Sequence, residues 1–225
     1  MDFNGPEPAD LVDVRSINSA FLEFLRGAEG ETLRAGLPTR LRPAVAALTE
    51  RQIERLAGVP FLLLTLNETD EAYWGRVRDE LPVRDLFAAS LSPVDPLGRI
   101  VTATLGFQWQ LARKNAYAAR LISGASLHWC EQLASCTLLR VLQCAAKLQR
   151  LAAPRHAAHK VLWTRLLGPG LSSAEHVRRA AQLSALQIVL SPASATPAQR
   201  WRSAACYASV PLLETRSRRG VHDDD

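Results

Sequence analysis

The apolar residues of this chain recur mainly at intervals of three and four positions, which is the spacing of amphipathic helices. The first such segment spans 8–26, and Pro8 and Asp10 suit its first turn. One side of this segment carries Leu11, Val14, Ile17 and Phe21. The pattern predicts an amphipathic helix at the start of the chain.

Two more helices are predicted before residue 60. They follow a polar loop at 27–36, and Pro38 suits the opening turn of the first one. The motif Thr49-x-x-Gln52 has the form of a capping box, in which two side chains satisfy free amides at the start of a helix. Gly58 is placed to end that second helix.

Two segments interrupt the helical pattern. The segment 61–66 is an almost continuous apolar run, and its length leaves two readings open, a buried strand or the end of a helix. Further along, Pro93, Pro96 and Gly98 resist regular structure, and the charge balance changes sign just beyond them. We expect a domain boundary there.

Helical spacing resumes beyond Gly98. A long apolar-rich pattern covers 105–134, and Ser135 or Thr137 is placed to cap the next helix, which runs to Leu148. The remaining predicted helices are 161–167, a helix that the capping box Ser172-x-x-Glu175 opens and that runs to Leu190, and a short helix from Thr196 to about Tyr207.

These elements predict a mainly α fold of two helical bundles or subdomains, in which a short strand near 61–66 is an open alternative. Residues 1–92 are expected to form an acidic helical oligomerisation domain, and residues 99–214 a basic helical domain. Residues 215–225 are polar and charged and are expected to form a flexible tail.

The two halves carry opposite charge. Residues 1–100 have 16 acidic and 11 basic side chains, a net charge of −5, whereas residues 101–225 have 6 acidic and 16 basic ones, a net charge of +10. A polyanion would therefore meet the second half, where a positive field raises association rates and gives salt-dependent affinity for phosphates. A merely solvated basic surface is the competing interpretation.

A helix pair at 116–134 and 137–148, joined by a very short turn, can present its second helix to a DNA groove. Simple packing of the two helices is the alternative. The cations that would neutralise DNA phosphates are Arg113, Lys114, Arg140, Lys147, Arg150, Arg155, Lys160 and Arg165.

Enzyme chemistry finds little support in the sequence. No Gly-x-Gly-x-x-Gly, Gly-x-x-x-x-Gly-Lys-Ser/Thr, Gly-x-Ser-x-Gly or His-Glu-x-x-His motif is present. His156 and His159 are three apart, but no carboxylate or thiol lies near them in sequence. We expect a non-enzyme with no catalytic residue and no cofactor.

The four cysteines are Cys130, Cys136, Cys144 and Cys206, and no two are spaced as Cys-x-x-Cys. Core packing of reduced thiols is therefore favoured over a metal site. The chain also has no apolar stretch of the roughly 18 residues that a membrane helix needs, and no export signal at its start. A cytoplasmic protein without a membrane partner is expected.

Two stretches resemble the flagellar master transcriptional activator family. Within 11–66, Ile17-Asn18, Gly36-Leu37 and the segment 46–57 around Thr49-x-x-Gln52 resemble its D subunit (FlhD). Within 116–150, Leu121-Ile122, Gly124-Ala125-x-Leu127, Glu131, Thr137 and Arg140 resemble the N-terminal helix pair of its C subunit (FlhC). The resemblance implies an all-helical regulator that forms a hetero-oligomer, binds promoter DNA and recruits RNA polymerase. The cysteine-bound zinc of the C subunit is not expected in this chain, because the cluster of cysteines that would bind it is missing here.

The leading hypothesis is a DNA-binding transcriptional regulator of the flagellar-activator type, which acts as a homo-oligomer or with a regulator subunit. The alternative is an adaptor or antagonist of a flagellar or secretion regulator that binds protein and leaves DNA untouched. Packing in the core is favoured over a place in an interface for four tryptophans, which are Trp109, Trp129, Trp163 and Trp201.

Overall fold

Helices make up most of the described chain. The computed structural model describes residues 5–79, 95–157 and 160–191. Its α-helices are α1 (Pro8–Arg26), α2 (Glu31–Arg34), α3 (Arg42–Ala46), α4 (Glu50–Ala57), α5 (Glu71–Asp79), α6 (Pro96–Lys114), α7 (Ala116–Ser123), α8 (Leu127–Ala134), α9 (Leu138–Leu148), α10 (Lys160–Leu167) and α11 (Glu175–Leu190). Short 3-10 turns lie at Ala28–Gly30, Gln149–Leu151 and Pro169–Leu171, and two strands are β1 (Leu64–Thr65) and β2 (Ala153–Pro154). The prediction of a mainly α fold is confirmed.

Helix α1 follows its sequence signals closely. It begins at Pro8, with the Glu7 side chain and Asp10 forming a capping box, and it ends before Gly27. Its buried side includes Val14, Phe21, Leu22 and Leu25. Asn18 is also buried on this side, and its amide bonds the backbone of 61–63: Nδ2 donates to the Phe61 carbonyl at 2.8 Å, and Oδ1 accepts from the Leu63 amide at 2.8 Å.

The chain between α1 and α4 is more helical than its polar sequence predicts. The segment 27–36, expected to be a loop, contains the 28–30 turn and α2. The helix expected from Pro38 begins instead at Arg42, because residues 38–41 form a turn in which the Leu41 amide donates to the Pro38 carbonyl at 2.8 Å. The capping box of Thr49 and Gln52 opens α4 as predicted.

The apolar run 61–66 is a buried strand segment. Phe61, Leu62, Leu63, Leu64 and Leu66 are all fully buried. β1 lies within the run and pairs antiparallel with β2, with Leu64 opposite Pro154 and Thr65 opposite Ala153. The strand interpretation of this segment is therefore confirmed.

The long helical pattern over 105–134 is broken at Asn115 and again at Gly124, and the second break makes the prediction of one helix over 116–134 wrong. Asn115 has extended backbone angles, and its side chain caps α7 by accepting from the amides of Tyr117 and Ala118. Gly124 ends α7 with a φ of +67°, in the left-handed region that side chains disfavour. Helix α8 then starts afresh after Ser126. The second helix of the predicted pair, α9, begins after Thr137 as predicted.

The described parts of the two predicted domains share one hydrophobic core. α1 packs on both α4 and α6, and α6 also packs on α7, α8 and α9. The Leu62 amide donates to the Ile122 carbonyl at 3.0 Å, and β1 and β2 come from opposite sides of the predicted boundary. Division into independent domains at 1–92 and 99–214 is thus corrected: residues 5–79 and 95–190 belong to one unit, because the apolar faces of each half are covered by the other. The predicted helix from Thr196 and the tail 215–225 lie outside the described residues.

Candidate nucleic-acid interface

The end of α6 carries two of the predicted cations. The guanidinium carbon of Arg113 lies 5.0 Å from the centre of the Trp109 ring, an arrangement in which a cation is attracted to the ring face. Lys114 Nζ lies 2.6 Å from Glu7 Oε2 and 3.7 Å from Asp10 Oδ1. The hydrogen bond to Glu7 raises the pKa of Lys114. Both side chains are exposed, but the charge of Lys114 is matched by the start of α1.

Helix α9 and the turn that follows it carry three more of the predicted cations. Arg140 and Lys147 are seven residues apart, about two helical turns, so they lie on one side of α9. Lys147 and Arg150 are exposed and Arg140 is half-buried. No Asp or Glu occurs between Glu131 and Glu175 in the sequence. We call Arg140, Lys147 and Arg150 the α9 cations.

Arg113 lies close to the start of α9. The indole Nε1 of Trp109 donates to the Cys136 carbonyl at 2.9 Å, and the same indole ring carries the Arg113 guanidinium on its face. Cys136 lies two residues before α9 begins. The end of α6 is therefore bonded to the chain just before α9, whose first turn carries Arg140.

The first turn of α9 also exposes apolar side chains. Leu138 is 49% exposed and Leu139 is 38% exposed, in a part of the chain where most leucines are covered. In helix-turn-helix proteins the N-terminal residues of the second helix contact base edges. Leu138 and Arg140 both lie in the first turn of α9.

The two predicted cations of α10 lie apart from the α9 cations in sequence and in secondary structure. Lys160 is in the first turn of α10 and is exposed. Arg165 is exposed as well, and its Nη1 donates to the hydroxyl of Ser184 on α11. One of its guanidinium nitrogens is therefore occupied within the protein.

Arg155 is a correction to the predicted set, because it lies inside the core. The residue is only 4% exposed. Its guanidinium donates to the backbone carbonyls of Leu62, Leu64 and Ser123, and Nη2 lies 3.4 Å from Oε1 of Glu68. Burial lowers the pKa of Arg155, whereas the charge of Glu68 acts in the opposite direction. With its donors used on the protein itself, Arg155 joins chain segments and does not meet DNA phosphates.

The cysteines of the described region behave as packing residues. Cys130 and Cys144 are buried and Cys136 is half-buried, and none of the three forms a disulfide. Cys206 lies outside the described residues. Burial raises the pKa of Cys130 from 9.0 to about 11. Among the described side chains, no group of three or more His, Cys, Asp or Glu is arranged to hold a metal ion.

Packing is confirmed for two of the four tryptophans. Trp129 is 2% exposed and meets Trp74 edge to face, with ring centres 5.1 Å apart. Trp163 is fully buried, and its Nε1 donates to the Arg155 carbonyl at 2.8 Å. Trp109 is partly buried against the core, and Trp201 lies outside the described residues.

An open groove of about 770 Å³ lies between α1 and α6. Ile17 and Phe24 of α1 and Ile100 of α6 contribute apolar surface to it. Glu23 and Arg99 place charges of both signs on its lining. This surface belongs to neither the core nor the basic region.

Comparison of the chain with models of known protein families, with curated proteins and with solved structures finds no match. None of the described helices is long and apolar enough to cross a membrane.

Proposed function

We propose that this chain is a non-enzymatic DNA-binding regulator of transcription, of the flagellar-activator type, that contacts DNA with α9 and the adjoining end of α6. The observation that carries the proposal is the carboxylate-free segment 132–174, in which the α9 cations are presented beside an exposed first turn. Phosphate contacts by Lys147 and Arg150 would fix the position of the helix, and Arg113 and Arg140 would lie nearer the groove.

The proposed binding has a strong electrostatic component, since exposed cations that neutralise phosphates release condensed counterions. Fluorescence anisotropy with a short duplex of mixed sequence, titrated at several salt concentrations, tests it. The variant Lys147→Gln/Arg150→Gln should reduce the slope of log affinity against log salt by about 0.9 for each lost phosphate contact.

A matched double variant on the acidic half, Arg40→Gln/Arg51→Gln, removes the same charge from two exposed positions. It should leave the slope unchanged. Absence of DNA binding at low salt, or an equal effect of the two double variants, would refute the DNA-binding proposal.

Oligomerisation is part of the proposed function, and the groove between α1 and α6 is the surface we assign to it. We assign a second copy of the chain to this groove, because its lining carries charges of both signs, on Glu23, Glu29 and Arg99. Ala20 is exposed and lines the groove, so Ala20→Arg should lower the association state seen by sedimentation velocity. An unchanged association state would remove the groove from the proposal.

The same groove also favours the alternative function, an adaptor that binds a regulator subunit without touching DNA. An adaptor predicts no salt-dependent DNA binding by the wild-type chain, together with a complex with a flagellar regulator subunit that Ala20→Arg disrupts. The DNA titration therefore separates the two functions directly.

A further inference from the structure

A second set of cations lies in a polar cleft that the charge pattern of the sequence does not reveal. Arg15 of α1, Arg55 of α4 and Arg178 of α11 line a cleft of about 490 Å³. Two of these arginines come from the acidic first half of the chain and one from the basic second half. The fold therefore gathers three guanidinium groups that lie far apart in sequence.

Two of the three guanidinium groups are held in place by the protein backbone. Arg55 Nη1 donates to the Leu171 carbonyl at 2.8 Å, and Arg178 Nη1 donates to the Ser172 carbonyl at 3.0 Å. These carbonyls belong to consecutive residues, so both arginines are fixed to the same turn before α11. Each guanidinium has five N–H donors, and each of these two bonds uses one of them.

Arg15 completes the cleft from the opposite helix. Its side chain is exposed and makes no hydrogen bond or ion pair with another residue of the described ranges. The position of the Arg15 guanidinium can therefore adjust, because nothing in these ranges fixes it.

The cleft has an excess of positive charge. Glu54 is the one carboxylate among its lining residues, and it makes no ion pair with the three arginines in the described structure, which leaves a net charge of +2. Ser173 and Gln182 add neutral polar groups to the lining. Like charges gathered in a half-enclosed site repel each other, and a bound dianion would relieve that repulsion.

We propose that this cleft binds the phosphate group of a small phosphorylated molecule. Guanidinium groups form paired hydrogen bonds with phosphate oxygens, and the cleft volume lies in the range of small-molecule sites. A small ligand fits better than a nucleic acid, because the surrounding first half carries a net charge of −5 and repels a long polyanion. The site is independent of the proposed DNA surface.

Isothermal titration calorimetry of the full chain with pyrophosphate, at constant ionic strength, tests the assignment. The wild-type chain should bind with saturation at one site. Arg15→Gln should weaken binding roughly tenfold, since it removes charge-assisted hydrogen bonds without touching a structural contact. Arg51→Gln is the matched control, because Arg51 is exposed on α4 and does not line the cleft.

Circular dichroism of both variants establishes that the fold is kept. Absence of saturable pyrophosphate binding, or equal weakening by Arg15→Gln and Arg51→Gln, would overturn the proposal. Displacement of pyrophosphate by short duplex DNA would also overturn it, since the phosphates would then belong to nucleic acid. Persistence of pyrophosphate binding in the presence of DNA would support a small ligand.

Discussion

Burial of the Arg155 guanidinium removes a strongly hydrated charge from water, and the protein compensates with several partners. Glu68 supplies the opposite charge, and its own oxygens also accept from Gln108 Nε2 at 3.0 Å and from the Thr65 hydroxyl. Such a pair is costly to break from one side, because the remaining charge stays buried without its counterpart. Arg155 and Glu68 therefore act as one structural unit.

We expect Arg155→Met to lower the free energy of unfolding by about 3–5 kcal/mol, since it leaves the Glu68 carboxylate unpaired in the core. Urea denaturation followed by tryptophan fluorescence measures this loss. Arg150→Met, at an exposed position, should change stability by no more than about 0.5 kcal/mol. If Arg155→Met kept full stability and lost only DNA affinity, Arg155 would return to the DNA-contacting set.

The Cys130 thiol should be unreactive in the folded protein. Thiolate is the reactive form, and burial raises the pKa of Cys130 to about 11. Timed iodoacetamide labelling at pH 8 with peptide mapping should show Cys136, which is half-buried, modified before Cys130. Labelling of Cys130 at the rate found in denaturant would contradict this expectation.

The same pKa shift has a consequence for stability. The unfolded thiol ionises from about its ordinary pKa of 9.0, whereas the folded thiol stays neutral until about 11. The contribution of Cys130 to folding is therefore complete below pH 9.0 and is lost as the pH rises through about 11. A Cys130→Ala variant should show a weaker decline of stability in that interval.

Among single residues, sequence reasoning anticipated those whose role depends on local chemistry. Apolar residues such as Trp163 and Cys144 were expected inside and are inside. Arg155 could not be anticipated, because its partners at 62, 64 and 68 lie about 90 residues earlier and no local pattern links them.

At the scale of elements, some glycines are needed for their backbone conformation, whereas others can be replaced by alanine. Gly124→Ala should destabilise the protein by about 1–3 kcal/mol, because φ is +67° and the added Cβ would lie 3.0 Å from Val189 Cγ1 and 3.1 Å from Arg155 Nη1. Gly106→Ala is the matched variant, since its Cβ would have nothing within 4 Å.

Gly106 lies inside α6, where alanine favours the helix, so Gly106→Ala should stabilise the protein by about 0.5–1 kcal/mol. Thermal unfolding of both variants measures the two effects. The same sign for both substitutions would contradict the assignment of Gly124 to a left-handed helix end.

Elements with their own start and stop signals were predictable from sequence. The capping residues Thr49 and Thr137 mark helix starts that the structure confirms. The break at Gly124 inside the predicted helix 116–134 was missed, because helical apolar spacing continues through it and only the left-handed backbone of Gly124 ends α7. The short helical turns within 28–34 were not predicted, because the sequence there is polar and was expected to form a loop.

On the scale of the whole molecule, the apolar faces of the two halves cover each other. Residues 95–225 expressed alone should therefore lack cooperative unfolding and bind a hydrophobic dye, because α6 and Ile122 lose their partners in the first half. Adding residues 1–94 in trans should restore a cooperative transition. A cooperatively folded 95–225 fragment would revive the two-domain prediction.

The candidate surfaces differ in how far sequence could reveal them. The carboxylate-free segment 132–174 is visible in the composition, which alone points to the α9 cations. The cleft of Arg15, Arg55 and Arg178 is not, because it needs three helices from both halves to meet. The net charge of a segment indicates a surface whose cations are close together in sequence. It does not indicate a surface whose cations come from distant parts of the chain.

The long-range bonds of Arg155 also bear on how the chain is made. Arg155 is 93 residues later than Leu62, whose carbonyl it binds, so a ribosome adding about 5–20 residues per second exposes the leucine-rich stretch for about 5–20 s before its partner emerges. During that interval we expect transient collapse or a chaperone to shield this stretch, and the nascent chain to be prone to aggregation.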